Sequence, residues 1–389
     1  MIKKTLPKSV WMLGLVSLFM DMSSELIHAV LPLYLTTVLG VSVLAVGLIE
    51  GVAEATASLT KLFSGAIADR LQQRKLLTVI GYGLAAVTKP IFPLAQTLEW
   101  VVAARFMDRF GKGIRGAPRD ALIADVTPPE QRGAAFGLRQ SLDTVGAAIG
   151  PLLAVVLLVA FAGDLRSVLW IAVVPAVVAV AILVFCVQEP KSGHPRARPK
   201  ALFAGTGSLP SAFWGVVAIG GALTLARFSE AFLILQAQHA GMGITWAPLV
   251  MVVMAVAYAL TSYPAGKLSD RMPRHILLTA GLATLIAADL VLAGMQTTAG
   301  VMTGAALWGV HMGLTQGLLA TLVADAAPAH LRGTAFGVFY FTVGVLQLVA
   351  STLAGVLWSQ IGPASTFLAG AAFSALALGG CILLARRKN

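Results

Sequence analysis

Asp21, Glu25 and His28 fall at i, i+4 and i+7, so a helix drawn through them carries two carboxyls and an imidazole on one face. Groups of this kind exchange protons near neutral pH when they are buried. The same donors suit a divalent transition metal, and a third role is charge balance against bases on a neighbouring segment. Such bases exist: Arg105, Arg109, Lys112, Arg115 and Arg119 recur every three or four residues, with Asp108 beside them. They form a ladder on one broad helical face that would draw an anion. Arg115 and Arg119 are expected to snorkel to an aqueous surface, whereas Arg105 and Arg109 lie too deep to do so. Arg139 with Asp143, and Glu50 and Glu54 with Lys61, are expected to be packing pairs. Further on, Arg227, Ser229 and Glu230 make one evident polar cluster, with His311 and Gln316 as lesser candidates. Lys89 and Asp289 have no role that their sequence neighbours suggest.

Composition says what must hold these groups. Hydrophobic residues make up 58% of the chain and charged residues 12%, with a mean hydropathy of +0.85; a soluble domain carries roughly a quarter charged residues. This chain cannot cover a water-soluble surface, so its solvent is largely the lipid bilayer. A spanning helix needs about 20 apolar residues. Twelve candidate spans lie near 10–38, 43–66, 76–95, 98–122, 133–161, 167–187, 211–238, 245–266, 276–295, 300–324, 333–359 and 363–385. The expected fold class is an all-α membrane protein. The basic start and short apolar run at the N-terminus are followed by Asp21-Met-Ser-Ser-Glu25 and not by a small-residue cleavage pattern, so a first span is expected there, not a signal peptide.

A net charge of +11 would suggest nucleic acid as the partner of a soluble protein. Here placement explains it. Alternating the loops puts Lys3, Lys4, Lys8, Arg70, Arg74, Lys75, Arg132, the bases of 188–210, Lys267, Arg271, Arg274, Arg332 and the C-terminal bases on one side, against Arg166 on the other. By the positive-inside rule both termini face the cytoplasm, and no nucleic-acid partner is expected. Cys186 and Cys381 have no metal-type spacing and no reason to pair.

The chain also repeats itself. Leu122, Ala124, Asp125, Pro128, Arg132, Gly133, Ala135, Phe136 and Gly137 recur as Leu322, Ala324, Asp325, Pro328, Arg332, Gly333, Ala335, Phe336 and Gly337. Two related halves are expected, 1–187 and 211–389, joined by a basic cytoplasmic linker at 188–210; membrane transporters are commonly built from such repeats.

Twelve spans in two halves, with Gly65-Ala-Ile-Ala-Asp69-Arg70 and Arg74 after the second span, resemble the major facilitator superfamily. Its signature between helices 2 and 3 is Gly-x-x-x-Asp-Arg/Lys-x-Gly-Arg-Lys/Arg. Gln72 stands where that signature has glycine. A second copy keeps Gly266, Asp270, Arg271 and Arg274, with Pro273 at the glycine position. The resemblance implies two pseudo-symmetric six-helix bundles and assigns these residues, with Asp125, Arg132, Asp325 and Arg332, to a cytoplasmic gate. Gly146-Ala-Ala-Ile-Gly150-Pro151 resembles the Gly-x-x-x-Gly-Pro motif of the family's proton-coupled antiporters, and Arg109-Phe-Gly-Lys112-Gly113 resembles its helix 4 motif Arg-x-x-Gln-Gly. In the family, helices 1, 4, 7 and 10 line the central cavity.

The expected function follows: a secondary transporter of the inner membrane, working by alternating access on a small polar, anionic or amphipathic molecule. Asp21 and Glu25 would couple protons. His28, Arg105, Arg109, Arg139, Arg227 and Glu230 would meet the substrate. Export by proton antiport is the favoured direction and uptake of an organic anion by symport the alternative. The protein is expected to act as a monomer, without a cofactor or a resident metal. An enzyme is not expected, since neither His-Glu-x-x-His nor Gly-x-Ser-x-Gly occurs. Gly111-Lys-Gly113-Ile-Arg-Gly116 fits a dinucleotide fingerprint, but no strand precedes it. A membrane sensor is a remote alternative, because no loop is long enough for a signalling domain.

Overall fold

In lipid a backbone must close its own hydrogen bonds, so apolar spans of this length become helices. The computed structural model describes residues 6–71, 73–128, 131–188, 206–269, 272–315, 318–328 and 331–386, without the side chains at 65–71, 267, 269, 274, 320, 321, 324, 332, 333 and 384–386. Among the described residues every regular element is helical. Ten stretches are long and apolar enough to cross a membrane. Leu98–Val126, loaded with bases, and Thr298–Ala326, interrupted by residues outside the description, complete the twelve expected spans. The linker at 189–205 and the gate side chains of Gly65, Asp69, Arg70, Asp270, Arg271 and Arg332 lie outside the described residues.

The helices are α1 (Lys8–Leu33), α2 (Val43–Leu71), α3 (Arg74–Thr88), α4 (Ile91–Leu94), α5 (Leu98–Val126), α6 (Arg132–Ala160), α7 (Leu165–Ile171) and α8 (Val173–Cys186). The second half supplies α9 (Ser211–Ala226), α10 (Ala231–His239), α11 (Leu249–Ser269), α12 (Arg274–Gly294), α13 (Thr298–Thr315), α14 (Leu318–Ala326), α15 (Arg332–Gln360) and α16 (Pro363–Arg386). The chain divides into two compact units, Met1–Tyr34 with Thr56–Lys200, and Leu35–Ala55 with Ala201–Asn389. The first half of α2 therefore packs with α9–α16.

In the first unit, glycine lets helix backbones meet. A Cβ at Gly150 would lie 2.8 Å from the Met22 carbonyl and the Leu26 amide, and one at Gly146 would strike the Leu18 carbonyl, so the Gly146-x-x-x-Gly150 face is filled by α1. Gly111 abuts Gly81 of α3, and Gly113 abuts Ala57 and Thr60 of α2. The glycine-rich run that fits a dinucleotide fingerprint is a pair of helix contacts.

In the second unit the first half of α2 lies on α15, with Gly51 against Leu348 and Gly355 against Leu44. Packing repeats as the sequence does. Gly81 meets Arg115 and Gly281 meets Thr315; Gly113 meets Thr60 and Gly313 meets Thr261. The same small positions bring the third, fourth and second spans of each half together.

Candidate transport site

Four of the five bases of the α5 ladder are buried, and Lys112 is exposed. Arg105 and Arg109 are each 1% exposed, as their depth in the span implies, and Arg115 and Arg119 are buried as well. Snorkelling is thus not what the last two do. Arg115 lies over the Tyr82 ring of α3 at 4.6 Å and reaches within 3.9 Å of Asp21. Arg119 donates to Ser17 at 3.2 Å and Tyr82 at 3.3 Å, and pairs with Asp120 at 3.1 Å. The aromatic face and hydroxyl of Tyr82 supply what water would have supplied at the surface.

Asp108 pairs with Lys89 at 2.8 Å, and Lys89 also donates to Ser24 of α1 at 3.0 Å. The Arg109 Nε stands 4.0 Å from the other oxygen of Asp108. Lys89, without a role in sequence, is the inner counter-charge of α5; nothing local marks it, because Asp108 lies across a helix interface.

The three groups of α1 divide. His28 Nδ1 and Glu25 Oε2 are 3.3 Å apart. Asp21 turns instead to α5, where Arg115 stands 3.9 Å away, and Arg119, one turn further along α5, is 4.0 Å from Asp143 of α6. Arg139 donates to the same Asp143 at 3.2 Å and to Gln140 at 3.1 Å. Arg139–Asp143 is thus part of a larger cluster and not the isolated packing pair its spacing suggests. Among the described residues no three His, Cys, Asp or Glu side chains gather as metal ligands do. At the far end of α5, Asp125 receives a hydrogen bond from Arg74, which also donates to the Ala121 carbonyl at 3.1 Å. Of the gate residues, this pair is joined within one unit; Arg132 and Asp325 are exposed.

The second unit is mostly apolar and aromatic. The span expected at 211–238 is broken: α9 ends at Ala226 and α10 begins at Ala231. Arg227 and Glu230 sit in the break, where Gln347 donates to the Arg227 carbonyl at 3.0 Å and the Ser229 amide donates to Ser351 at 3.2 Å. Glu50, fully buried, takes a hydrogen bond from the Ser229 hydroxyl at 3.5 Å. Sequence alone ties Glu50 to its own helix and misses this partner. His311 is held by the Gly281 carbonyl at 2.7 Å, as a satisfied buried histidine. Asp289, the counterpart of Lys89, is buried with no hydrogen-bond partner for either oxygen among the described residues.

An all-helical bilayer protein with buried, paired charges at the heart of one repeat belongs to the class of membrane transporters. The model of the Major Facilitator Superfamily matches residues 13–351 and 233–389, and the chain belongs to that family. It is 32% identical to an uncharacterized MFS-type transporter of Methanocaldococcus jannaschii, covering 98% of this chain and 95% of that one. It is 23% identical to the inner membrane transport protein YajR of Escherichia coli, covering 95% of this chain and 81% of that one. The crystal structure of the nucleoside transporter NupG superposes with a TM-score of 0.79 at 13% identity, over 96% of this chain and 99% of that one, a likeness of fold.

Proposed function

We propose that this member of the family is a proton-coupled secondary transporter of a small anionic or amphipathic molecule, acting as a monomer in the inner membrane with both termini cytoplasmic. The observation that carries the reading is the buried ladder Arg105, Arg109, Arg115 and Arg119, of which Arg115 reaches Asp21 and Arg119 reaches Asp143 within one unit. Buried bases in lipid are retained where they hold a partner or a cargo. The halves 1–187 and 211–389, joined by 188–210, would rock about this site. Asp21 and Glu25 would carry protons, and His28, Arg105, Arg109 and Arg139, with Arg227 and Glu230 from the other half, would meet the substrate. The gate would be formed by the residues at 65–74, 125, 132, 266–271, 325 and 332.

Export in exchange for protons is the direction suggested by Gly146, Gly150 and Pro151, whose glycines pack on α1. A second reading, uptake of an organic anion together with a proton, is favoured by the excess of base over acid along α5. Proteoliposomes under imposed pH gradients of either sign, screened with anionic and cationic compounds, test both. An acidic interior that drives anion loss, or an acidic exterior that drives anion gain, identifies co-movement; opposed fluxes of proton and cargo identify exchange. Full anion transport by Arg109→Ala removes the anion site, and flux indifferent to both gradients removes proton coupling.

A further inference from the structure

Asp289 of α12 lies outside the transport site, in the apolar second unit. It is fully buried, and neither of its oxygens has a hydrogen-bond partner among the described residues. Its surroundings are tight and aromatic. A Cβ at Gly370 of α16 would lie 2.6 Å from Asp289 Oδ2 and 3.1 Å from the edge of the Phe228 ring, so carboxyl and ring flank the same point. Phe228 in turn meets Trp308, Phe232 and Phe367 edge-on, at centroid distances of 5.4, 5.5 and 5.6 Å.

Charge is scarce on the elements packed here. α16 has none ahead of Arg386, and α9 has none at all. His311 of α13 is bonded to the Gly281 carbonyl, about two turns back along α12. Cys381 of α16 lies with His275 of α12 about four turns away. His239 ends α10 against Trp358, and α11 carries Tyr258, Tyr263 and Lys267. Arg227 and Glu230 sit in the break between α9 and α10.

The internal repeat supplies a second, independent observation. Gly81 meets Arg115 and Gly281 meets Thr315, so α12 and α13 pack as α3 and α5 do. In that register Trp308 stands to Asp289 as Asp108 stands to Lys89. Lys89 is neutralised by Asp108 at 2.8 Å. Trp308 brings no charge, and its own Nε1, also buried, donates to nothing among the described residues. An acid this deep in an apolar interior without a base must be neutralised in another way. A hydrated or organic cation would need space beside the carboxyl, where even one added carbon at Gly370 would collide. A proton needs none.

We propose that Asp289 is a proton-binding site of the second half, holding one proton as a carboxylic acid and exchanging it with water through the α9–α10 break. Phe228 makes the break the route. Its ring lies beside the carboxyl, yet the residue belongs to neither helix, so the cover is carried on a segment without helical hydrogen bonds of its own. Only the O–H bond forms and breaks, and water delivers and receives the proton. The site is separate from Asp21 and Glu25 and goes beyond the reading above.

The test uses the full-length protein in lipid nanodiscs at pH 7 and its infrared spectrum. The wild type is expected to show a carboxylic-acid carbonyl band that Asp289→Asn removes, with carboxylate absorption unchanged. Loss of carboxylate absorption instead, with the acid region intact, overturns the bound proton. Asp289→Glu guards against misfolding: it is to keep an acid band at a shifted position, and an acid region identical to that of the wild type also overturns the site. In heavy water the wild-type band is expected to move to lower wavenumber within an hour, as deuterium replaces the proton. A band unmoved after a day overturns exchange. Phe228→Ala should speed that shift several-fold, and an unchanged rate overturns the break as the route. An acid band at Asp289 in a protein whose flux ignores imposed pH gradients would refute proton coupling and leave this site standing.

Discussion

Removing one partner of Lys89–Asp108 is the most direct probe of how this membrane interior is held. Both groups are almost fully buried and 2.8 Å apart. At an effective dielectric constant near 20 their attraction is about 6 kcal/mol, and desolvation offsets much of it. Breaking a buried pair by deleting one member costs about 3–5 kcal/mol, because the other is left charged in a dry place. The two deletions are not equivalent. Asp108→Asn removes the carboxylate that Lys89 and Arg109 both approach. Lys89→Met leaves Asp108 beside the Arg109 Nε, so it is expected to cost less. Asp108→Asn should therefore lower the unfolding midpoint of the detergent-solubilised protein by about 4–6 °C. Adding Lys89→Met should recover at least half of that loss, since the stranded ammonium is gone. Asp289→Asn is the control at the related position: it breaks no hydrogen bond among the described residues and should shift the midpoint far less. The assay is thermal unfolding of the wild type and the four variants side by side. A double variant no more stable than Asp108→Asn alone would refute the argument that the buried charge, and not the site's shape, sets the cost.

Three further outcomes follow from local geometry. Gly150→Val should force α6 away from Met22 and Leu26 and cost at least about 1–3 kcal/mol by overpacking, while Gly83→Ala, with open space at its Cβ, should be neutral or stabilising; equal midpoints for the two would contradict the α1–α6 fit. Asp125→Asn should slow transport in proteoliposomes while membrane insertion stays normal, because Arg74 loses its anionic partner at the end of α5; unchanged turnover would count against a gating role. The Ser167 hydroxyl, 2.6 Å away, holds the exposed Asp164 carboxyl below its usual value at the start of α7. A group depressed in the folded state stabilises above its unfolded value of about 4 and loses that as pH falls through the folded one. Asp164→Ala should thus lower the midpoint at pH 7 and progressively less toward pH 3, and a constant difference would refute it.

Much of the site was legible by type and little of it by partner. Arg105 and Arg109 declared themselves, since no side chain that deep in an apolar span reaches water. Arg115 and Arg119 read as snorkelling bases because sequence shows the end of a helix and not the tyrosine across from it. Asp143 read as local, with Arg139 four residues before it, because the approach of Arg119 comes from another helix. Glu50 was tied to Glu54 and Lys61 for the same reason, although its hydrogen bond comes from Ser229. The break between α9 and α10 was missed because Arg227–Glu230 contains neither proline nor glycine.

The chain by itself determined its solvent, its helices, its duplication and its family. These depend on composition and on short motifs, which local chemistry reads without folding: apolar runs of spanning length must be helical in lipid, and repeated Gly, Asp and Arg-Gly positions mark the same turns in each half. Tertiary structure decided which charges meet. Gly81 and Gly281 place their helices alike, yet one faces Arg115 and the other Thr315, and Lys89 finds Asp108 where Asp289 has Trp308 at the corresponding place. Pairing across helices depends on distances of a few ångströms between residues far apart in the chain. Similar backbones therefore carry a charged interior in one half and an aromatic one in the other.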